Sequence, residues 1–443
     1  MPGPEQTTDE LLAALDESAL RGIVRSALNR HADVEREVRL VAARGSGDLG
    51  QVRVEVDRGL RTRRFLDYRA SMAWAQEARP IVSELEALSE SAPSTELVEL
   101  LQRAVGHVVK VLQRGDDSSG AIGDVARELL DLHAATCDAL VADPVKLAKW
   151  MVRFRFVDQD FFEADPVRYR LALGERGIAH YRRAVMSSDK PRSFAARYAR
   201  ERLAVLDGDI EAIVRLFGGD LRGPHQFVNV AEAMQEIGRE DEVLAWTARG
   251  IAETTGWQTA KLYDLACDVH ARQGNSVEVL ALRRRQHEAS PSVSTYGKLR
   301  AASAALDAWE LERDAGRAAL RRLDVSALIE AMLSDGDGAL AWETAVAATE
   351  HTVGDELWLR LAETREGEHP ADAVLVYRRV VEHVLETTGR GAYLRAVRIL
   401  KRAADAARAA GESDAFAAYT LDLRERHRRR PTLIVLLDKA RLP

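Results

Sequence analysis

After about residue 190 the chain repeats itself, and that repetition constrains the fold more than any other feature. Short hydrophobic helix starts follow glycine- or acid-rich turns five times: GREDEVLAW from Gly238, GNSVEVLAL from Gly274, ALDAWEL from Ala305, GDGALAW from Gly336 and HPADAVLVY from His369. Leu244 and Leu280 lie 36 residues apart, Leu280 and Leu311 31, Leu311 and Leu340 29, and Leu340 and Leu375 35. A loose period in the low-to-mid thirties is what a unit of two helices of roughly 12–16 residues plus turns produces. The tetratricopeptide consensus itself is not met, so the repeats are degenerate.

One unit shows the physics. Pro370 stands where a missing N–H costs least, at a helix start, with Asp372 in the first turn where the helix dipole favours an anion. Val374, Tyr377, Val381 and Val384 then fall on one face, and Arg378, Arg379, Glu382 and Glu386 lie largely off it. Gly389 is expected to stop the helix as a left-handed cap. The next helix carries Tyr393, Val397, Leu400, Ala404 and Ala407 and ends at Gly411. Neither helix can bury its stripe alone, so each must pack on a neighbour. The last apolar segment, Leu433 to Leu437, would close the open end of the stack.

Upstream the periodicity continues with breaks. Residues 1–8 read as a loose tail, and Thr8 or Asp9 would cap a first helix carrying Leu11, Leu12, Leu15 and Leu20. Gly45, Gly47 and Gly50 mark one break, the serines around Pro93 a second, and Gly115 to Gly123 (GDDSSGAIG) a third. Between the last two, Leu97, Leu100, Leu101, Ala104, Val108 and Leu112 recur at three- and four-residue steps, which is one helix face. The expected architecture is all-α. It comprises the tail 1–8, an N-terminal helical domain over 9–114, a helical region over 115–190, and over 191–443 an α-solenoid of degenerate helical-hairpin, tetratricopeptide-like repeats.

Composition narrows the function classes. Apolar residues make up 46% and charged residues 30% of 443, a folded composition too long for one ordinary core. Net charge is −7, from 63 basic and 70 acidic residues, which opposes bulk nucleic-acid affinity without excluding a local basic patch. The two cysteines, Cys137 and Cys267, form neither a disulfide framework nor a zinc-finger spacing. MPGPEQTTDE lacks the basic-then-apolar pattern of a secretory signal, and no stretch approaches about 18 apolar residues, so no membrane span and a cytoplasmic location are expected.

Motifs that could carry chemistry reduce to structural readings. Gly45-Ser-Gly47-Asp-Leu-Gly50 matches G-x-G-x-x-G, but a dinucleotide site needs a preceding strand within a βαβ unit, and the preceding VEREVRLVAAR reads as an amphipathic helix. The loop Asp116-Asp117-Ser118-Ser119-Gly120 resembles a calcium loop, yet with Gly120 at the sixth position Gly115 and Ala126 occupy the two positions that need carboxylates. A turn with an acidic helix N-terminus is the favoured reading. His133 and Cys137, four apart, share a helix face and could give two metal ligands; Leu129, Leu130 and Leu132 around them favour a core role. No H-E-x-x-H, G-x-S-x-G or G-x-x-x-x-G-K-[ST] occurs. Arginine runs at Arg61/Arg63/Arg64, at Arg283, Arg284 and Arg285, and at Arg424 to Arg430, which takes in Arg428, Arg429 and Arg430, could hold phosphate. They also suit solvated helix faces.

GDDSSGAIGDVARELLDLHAATC (115–137), FFEADPVRYRLALGERGIAHYRR (161–183) and RRRPTLIVLLDKARL (428–442) resemble a helical domain of unknown function that follows SWIM zinc fingers in actinobacterial proteins. The likeness runs from about Glu10 to the C-terminus. A SWIM finger needs a C-x-C…C-x-H set that is absent here, so the finger's metal and nucleic-acid roles are not implied. The resemblance implies a helical scaffold and, through the company such fingers keep, partnership with an SNF2-type ATPase.

The resulting expectation is a non-enzymatic protein–protein interaction scaffold with no catalytic residues, cofactor or metal. Asp116, Asp117 and the two arginine triplets Arg283–Arg285 and Arg428–Arg430 are the candidate interaction residues. The alternative is a nucleic-acid-associated accessory protein that binds through the arginine runs.

Overall fold

The computed structural model describes residues 12–442 apart from 29, 31–33, 36–37, 40, 43–47, 141, 160, 188–191 and 349–351. Among these the chain is helical throughout, and strand pairing is limited to one isolated parallel bridge between Leu66 and Gly115. None of the described helices is long and apolar enough to cross a membrane. The chain divides into two compact units, Met1–Asp220 with Ala233–Gly238, and Leu221–Glu232 with Arg239–Pro443.

Residues 12–13 are helical, and after a break at 14–16 the first unit continues with α1 (Glu17–Leu28). Asp16 caps it by accepting the Ala19 amide at 2.7 Å, and Leu15 sits exposed before the helix. Thr8, Asp9 and Leu11 lie outside the described residues, as do Gly45 and Gly47 of the glycine motif. Gly50 falls in the first turn of α2 (Leu49–Leu60), where Asp48 accepts the Gly50 and Gln51 amides. Then come α3 (Tyr68–Ser91), which carries Pro80 in its interior, α4 (Thr95–Leu112), α5 (Ala121–Leu140) and α6 (Pro144–Arg153). A π-helical turn, Phe154–Asp158, extends α6. The unit continues with α7 (Arg170–Met186), α8 (Phe194–Asp207) and α9 (Ile210–Gly218).

The expected stripe of α4 is the buried one: Leu97, Leu101, Ala104 and Val108 are fully enclosed and Leu100 nearly so. It packs on α2 and α5, and α5 packs in turn on α3 and α7. One continuous core running from Val52 to Leu206 results. Burial of that apolar area is the principal stabilising term, since each fully buried Leu or Val contributes about 1.5–3 kcal/mol.

In the second unit every hydrophobic helix start recognised in the sequence opens a helix. The order is α10 (Pro224–Glu236), whose residues from Ala233 on group with the first unit, then α11 (Glu240–Glu253), α12 (Thr259–Arg272), α13 (Ser276–Ala289), α14 (Val293–Ala304), α15 (Trp309–Leu323), α16 (Val325–Ser334), α17 (Gly338–Ala347), α18 (Asp355–Arg365), α19 (Pro370–Glu386), α20 (Arg390–Ala409), α21 (Ser413–Arg426) and α22 (Pro431–Lys439). From α11 to α21 each helix packs on the next one in sequence. Contacts between alternate helices (α13 with α15, α14 with α16, α16 with α18) join successive pairs. Among the described residues, one apolar cluster runs from Tyr296 to Leu361 and another from Ala362 to Leu442, and Phe227, Val243, Leu262 and Leu280 are buried ahead of them.

The α19–α20 pair behaves as the periodicity requires: Val374, Tyr377, Val381 and Val384 are buried on α19, and Tyr393, Val397, Leu400 and Ala407 on α20. Leu433 and Leu437 of α22 close against α20. The cap differs from expectation. Extended Thr387 ends α19, and Gly389, at φ 135° and ψ 156°, is instead the residue that leads into α20. A left-handed glycine does end α20: Gly411 has φ 73°, and the Glu412 amide returns to the Ala407 carbonyl at 2.8 Å.

Candidate functional site

The acidic pair of the 115–120 loop is engaged locally. Asp117 accepts the Ile122 and Gly123 amides, at 2.8 and 2.9 Å, and so caps the start of α5. Asp116 accepts the Ser118 amide at 3.0 Å, while its own amide donates to the Leu66 carbonyl at 2.8 Å and ties the loop to the segment that joins α2 to α3. Both carboxylates therefore hold the turn that delivers α5.

Arg61, Arg63 and Arg64 are exposed, whereas most arginines of the two triplets are engaged within the chain. Arg283 donates to Asp264 at 2.6 Å and to Gln286 at 2.8 Å, and Lys298 joins the same Asp264 at 2.7 Å. Arg284 grips Glu312 of α15 through two bonds of 2.9 and 2.6 Å, holding that carboxyl below its ordinary range. Arg430 donates to the Leu385 carbonyl at 2.6 Å, and Arg428 pairs with Glu425. Arg285 and Arg429 project to solvent. Arg283, Arg284 and Arg430 thus tie their helix to a neighbour, Arg428 pairs locally on the surface, and each triplet keeps two exposed arginines, Arg284 and Arg285 in one and Arg428 and Arg429 in the other.

The pair His133 and Cys137 proves to be the centre of a polar network inside the first unit. Both side chains are fully enclosed, with Sγ 3.7 Å from Nε2. His133 Nδ1 lies 2.8 Å from the Tyr169 hydroxyl and Nε2 3.1 Å from Gln102 Nε2. The Tyr169 hydroxyl is also 3.1 Å from the Leu130 carbonyl, which can only accept, so Tyr169 donates there. Its oxygen must then accept from His133 Nδ1–H, and Nε2 accepts from the Gln102 amide. This assignment makes the imidazole neutral. Burial acts the same way, pulling His133 down to about 3, and burial with the Asp138 charge pushes the Cys137 thiol up to about 12. Neither is a nucleophile or general base near neutrality. Among the described residues no three His, Cys, Asp or Glu side chains converge as a ligand set.

Gln102 and Tyr169 were not singled out from the sequence. They sit 31 and 36 residues from His133, and only the packing of α4, α5 and the approach to α7 brings them together. A second cross-helix cluster was equally hidden: Arg103 binds Asp57 through two bonds of 2.6 and 2.7 Å, and His107 reaches the same carboxyl at 2.8 Å. The Arg103 hydrogen bonds, opposed by burial, hold Asp57 at about 2.

The five leucines that mark the period occupy α11, α13, α15, α17 and α19, every second helix. They do not share a burial state. Leu280 is 7% exposed and Leu244 half-buried, whereas Leu311 is 82%, Leu340 44% and Leu375 65% exposed. The core positions of these last helices are filled by other residues, Leu320, Ala341 and Tyr377 among them.

Residues 187–433 match a family described as a family of unknown function, DUF6880. The match takes in the repeats and the start of the 428–442 stretch; the stretches 115–137 and 161–183 precede it. No curated protein matches the chain.

Proposed function

We propose, from the premise that the chain belongs to the DUF6880 family of unknown function, that it is a non-enzymatic scaffold whose helical array binds another protein. The observation that carries this reading is the row of period-marking leucines. Leu311, Leu340 and Leu375 recur on alternate helices and face solvent, although nothing in helix formation requires a leucine there. In an α-solenoid of tetratricopeptide-like hairpins the first helices of successive units share a face, so leucines repeated on them would line one extended apolar contact surface. The neighbour-to-neighbour helix packing of the second unit is compatible with such a stack. The internal pairing of Arg283, Arg284, Arg428 and Arg430 argues against a phosphate-binding strip.

The resemblance to domains that follow SWIM fingers supports an SNF2-type ATPase as the first partner to test. The experiment is affinity capture with the full chain in the host of origin, with and without nuclease, against L311S/L340S/L375S. A nuclease-resistant partner, lost with the triple variant while helicity is unchanged, is the expected result. Capture that depends on nucleic acid and survives the leucine changes would favour the nucleic-acid accessory role instead.

A further inference from the structure

Behind the exposed ends of α4 and α6 the first unit contains a pocket of about 290 Å³. Its walls are chiefly apolar, with Val98, Leu140, Leu147 and Trp150 among them, and Gln102 and Cys137 also line it. Glu99 and Lys146 are at its edge, where they pair with each other at 2.8 Å and so offer little net charge to a guest. The size is at the low end of ligand pockets, about 300 Å³, which suits a one- or two-ring molecule.

The network around His133 sets the pocket's polarity. The Leu130 carbonyl fixes the Tyr169 proton, Tyr169 fixes the His133 tautomer, and unprotonated Nε2 requires the amide NH₂ of Gln102. The Gln102 side chain therefore cannot flip without breaking the relay, and its carbonyl Oε1 remains as an acceptor for a guest. Trp150 is held in the same way, its ring 4.3 Å from His133 and stacked on Phe154 at 5.2 Å. A neutral His133 and an un-ionised Cys137 add no charge. Asp143, also in the wall, has its Oδ1 engaged by the Val145 and Lys146 amides at 2.9 and 3.1 Å, so a neutral guest avoids the desolvation cost that burying an ion against these largely apolar walls would carry.

We infer that this pocket is a binding site for a small neutral aromatic molecule bearing one N–H or O–H donor, which packs among Val98, Leu147 and Trp150 and donates to Gln102 Oε1. The site is independent of the partner-binding reading.

Indole and 1-methylindole are suitable probes, since they share a ring system and differ in the donor. Isothermal titration calorimetry on the full chain should give saturable binding of one indole per chain. Indole should bind roughly 3–10-fold more tightly than 1-methylindole, the net worth of one hydrogen bond. In Q102L the two probes should bind equally, and in L147W, which fills the pocket, neither should bind. V98F serves as the filling variant should L147W lose its helical circular dichroism. Absence of saturable indole binding, an indole preference that persists in Q102L, or binding that survives a folded pocket-filling variant would each overturn the assignment.

Discussion

His133 shows how much one side chain can determine once its partners are placed. With an ordinary value of 6.5 in the unfolded chain and about 3 in the fold, it binds a proton only in the unfolded state between those limits. Above pH 6.5 it contributes no pH dependence. As pH falls from 6.5 towards 3 the unfolded state gains the extra proton, so stability is lost at up to about 1.4 kcal/mol per pH unit. His133→Asn does not titrate there, so the wild-type advantage over the variant should shrink steadily between pH 6 and pH 4 in urea denaturation. A constant difference would mean that the imidazole is not buried neutral. Asp117 supplies a second test. Asp117→Ala uncaps the Ile122 and Gly123 amides and should lower stability by about 1–2 kcal/mol, read from the denaturation midpoint. The i, i+4 spacing of His133 and Cys137 could be read in the sequence. Gln102 and Tyr169 could not, because hydrogen bonds between helices leave no local periodic signal.

Helix periodicity, by contrast, was legible wherever one face is apolar, because burial selects the stripe directly: α19 follows it at every position named, and α4 at all but half-buried Leu112. Caps were less legible. Gly389 and Gly411 look alike in sequence, but only Gly411 is the left-handed residue after a helix. The partners of the arginine triplets were not legible for a related reason, since Glu312 lies 28 residues beyond Arg284 and no local pattern announces the pairing. Two helical glycines make opposite predictions at this scale. A Cβ on Gly250 of α11 would stand 2.7 Å from Leu262 Cδ1 and 2.8 Å from Phe227 Cβ, so Gly250→Ala should cost about 1–3 kcal/mol through overpacking. A Cβ on Gly297 of α14 meets nothing within 4 Å, and Gly297→Ala should stabilise by about 0.4–1 kcal/mol through helix propensity and a less flexible unfolded chain. Urea midpoints that move in the same direction for both would contradict the packing described.

Across the whole molecule the division of labour between the units can be tested by cutting the chain. The core cluster that encloses Cys137 runs from Val52 to Leu206 among the described residues, so Cys137 should stay buried without anything beyond residue 367. Ending the chain after Gly367 removes α19 to α22, and with them nearly all of the cluster from Ala362 to Leu442. It also removes Leu375 and leaves Trp358 and Leu361 of α18 without the helix that covers them. Cys137 should therefore stay protected from thiol reagents in the shortened chain, while partner capture is abolished. The change R428A/R429A/R430A takes away two exposed cations, one of them paired with Glu425, and the bond from Arg430 to the Leu385 carbonyl, but leaves every leucine of the row in place. Capture should survive it. Three arginines can neutralise only a few phosphates, and a chain of net charge −7 repels a polyanion at long range, so nucleic-acid binding by this segment should be weak and fall steeply with salt. A shortened chain that still captures its partner, together with a triple arginine variant that loses a salt-sensitive complex with DNA or RNA, would transfer the function from the leucine row to the basic segment.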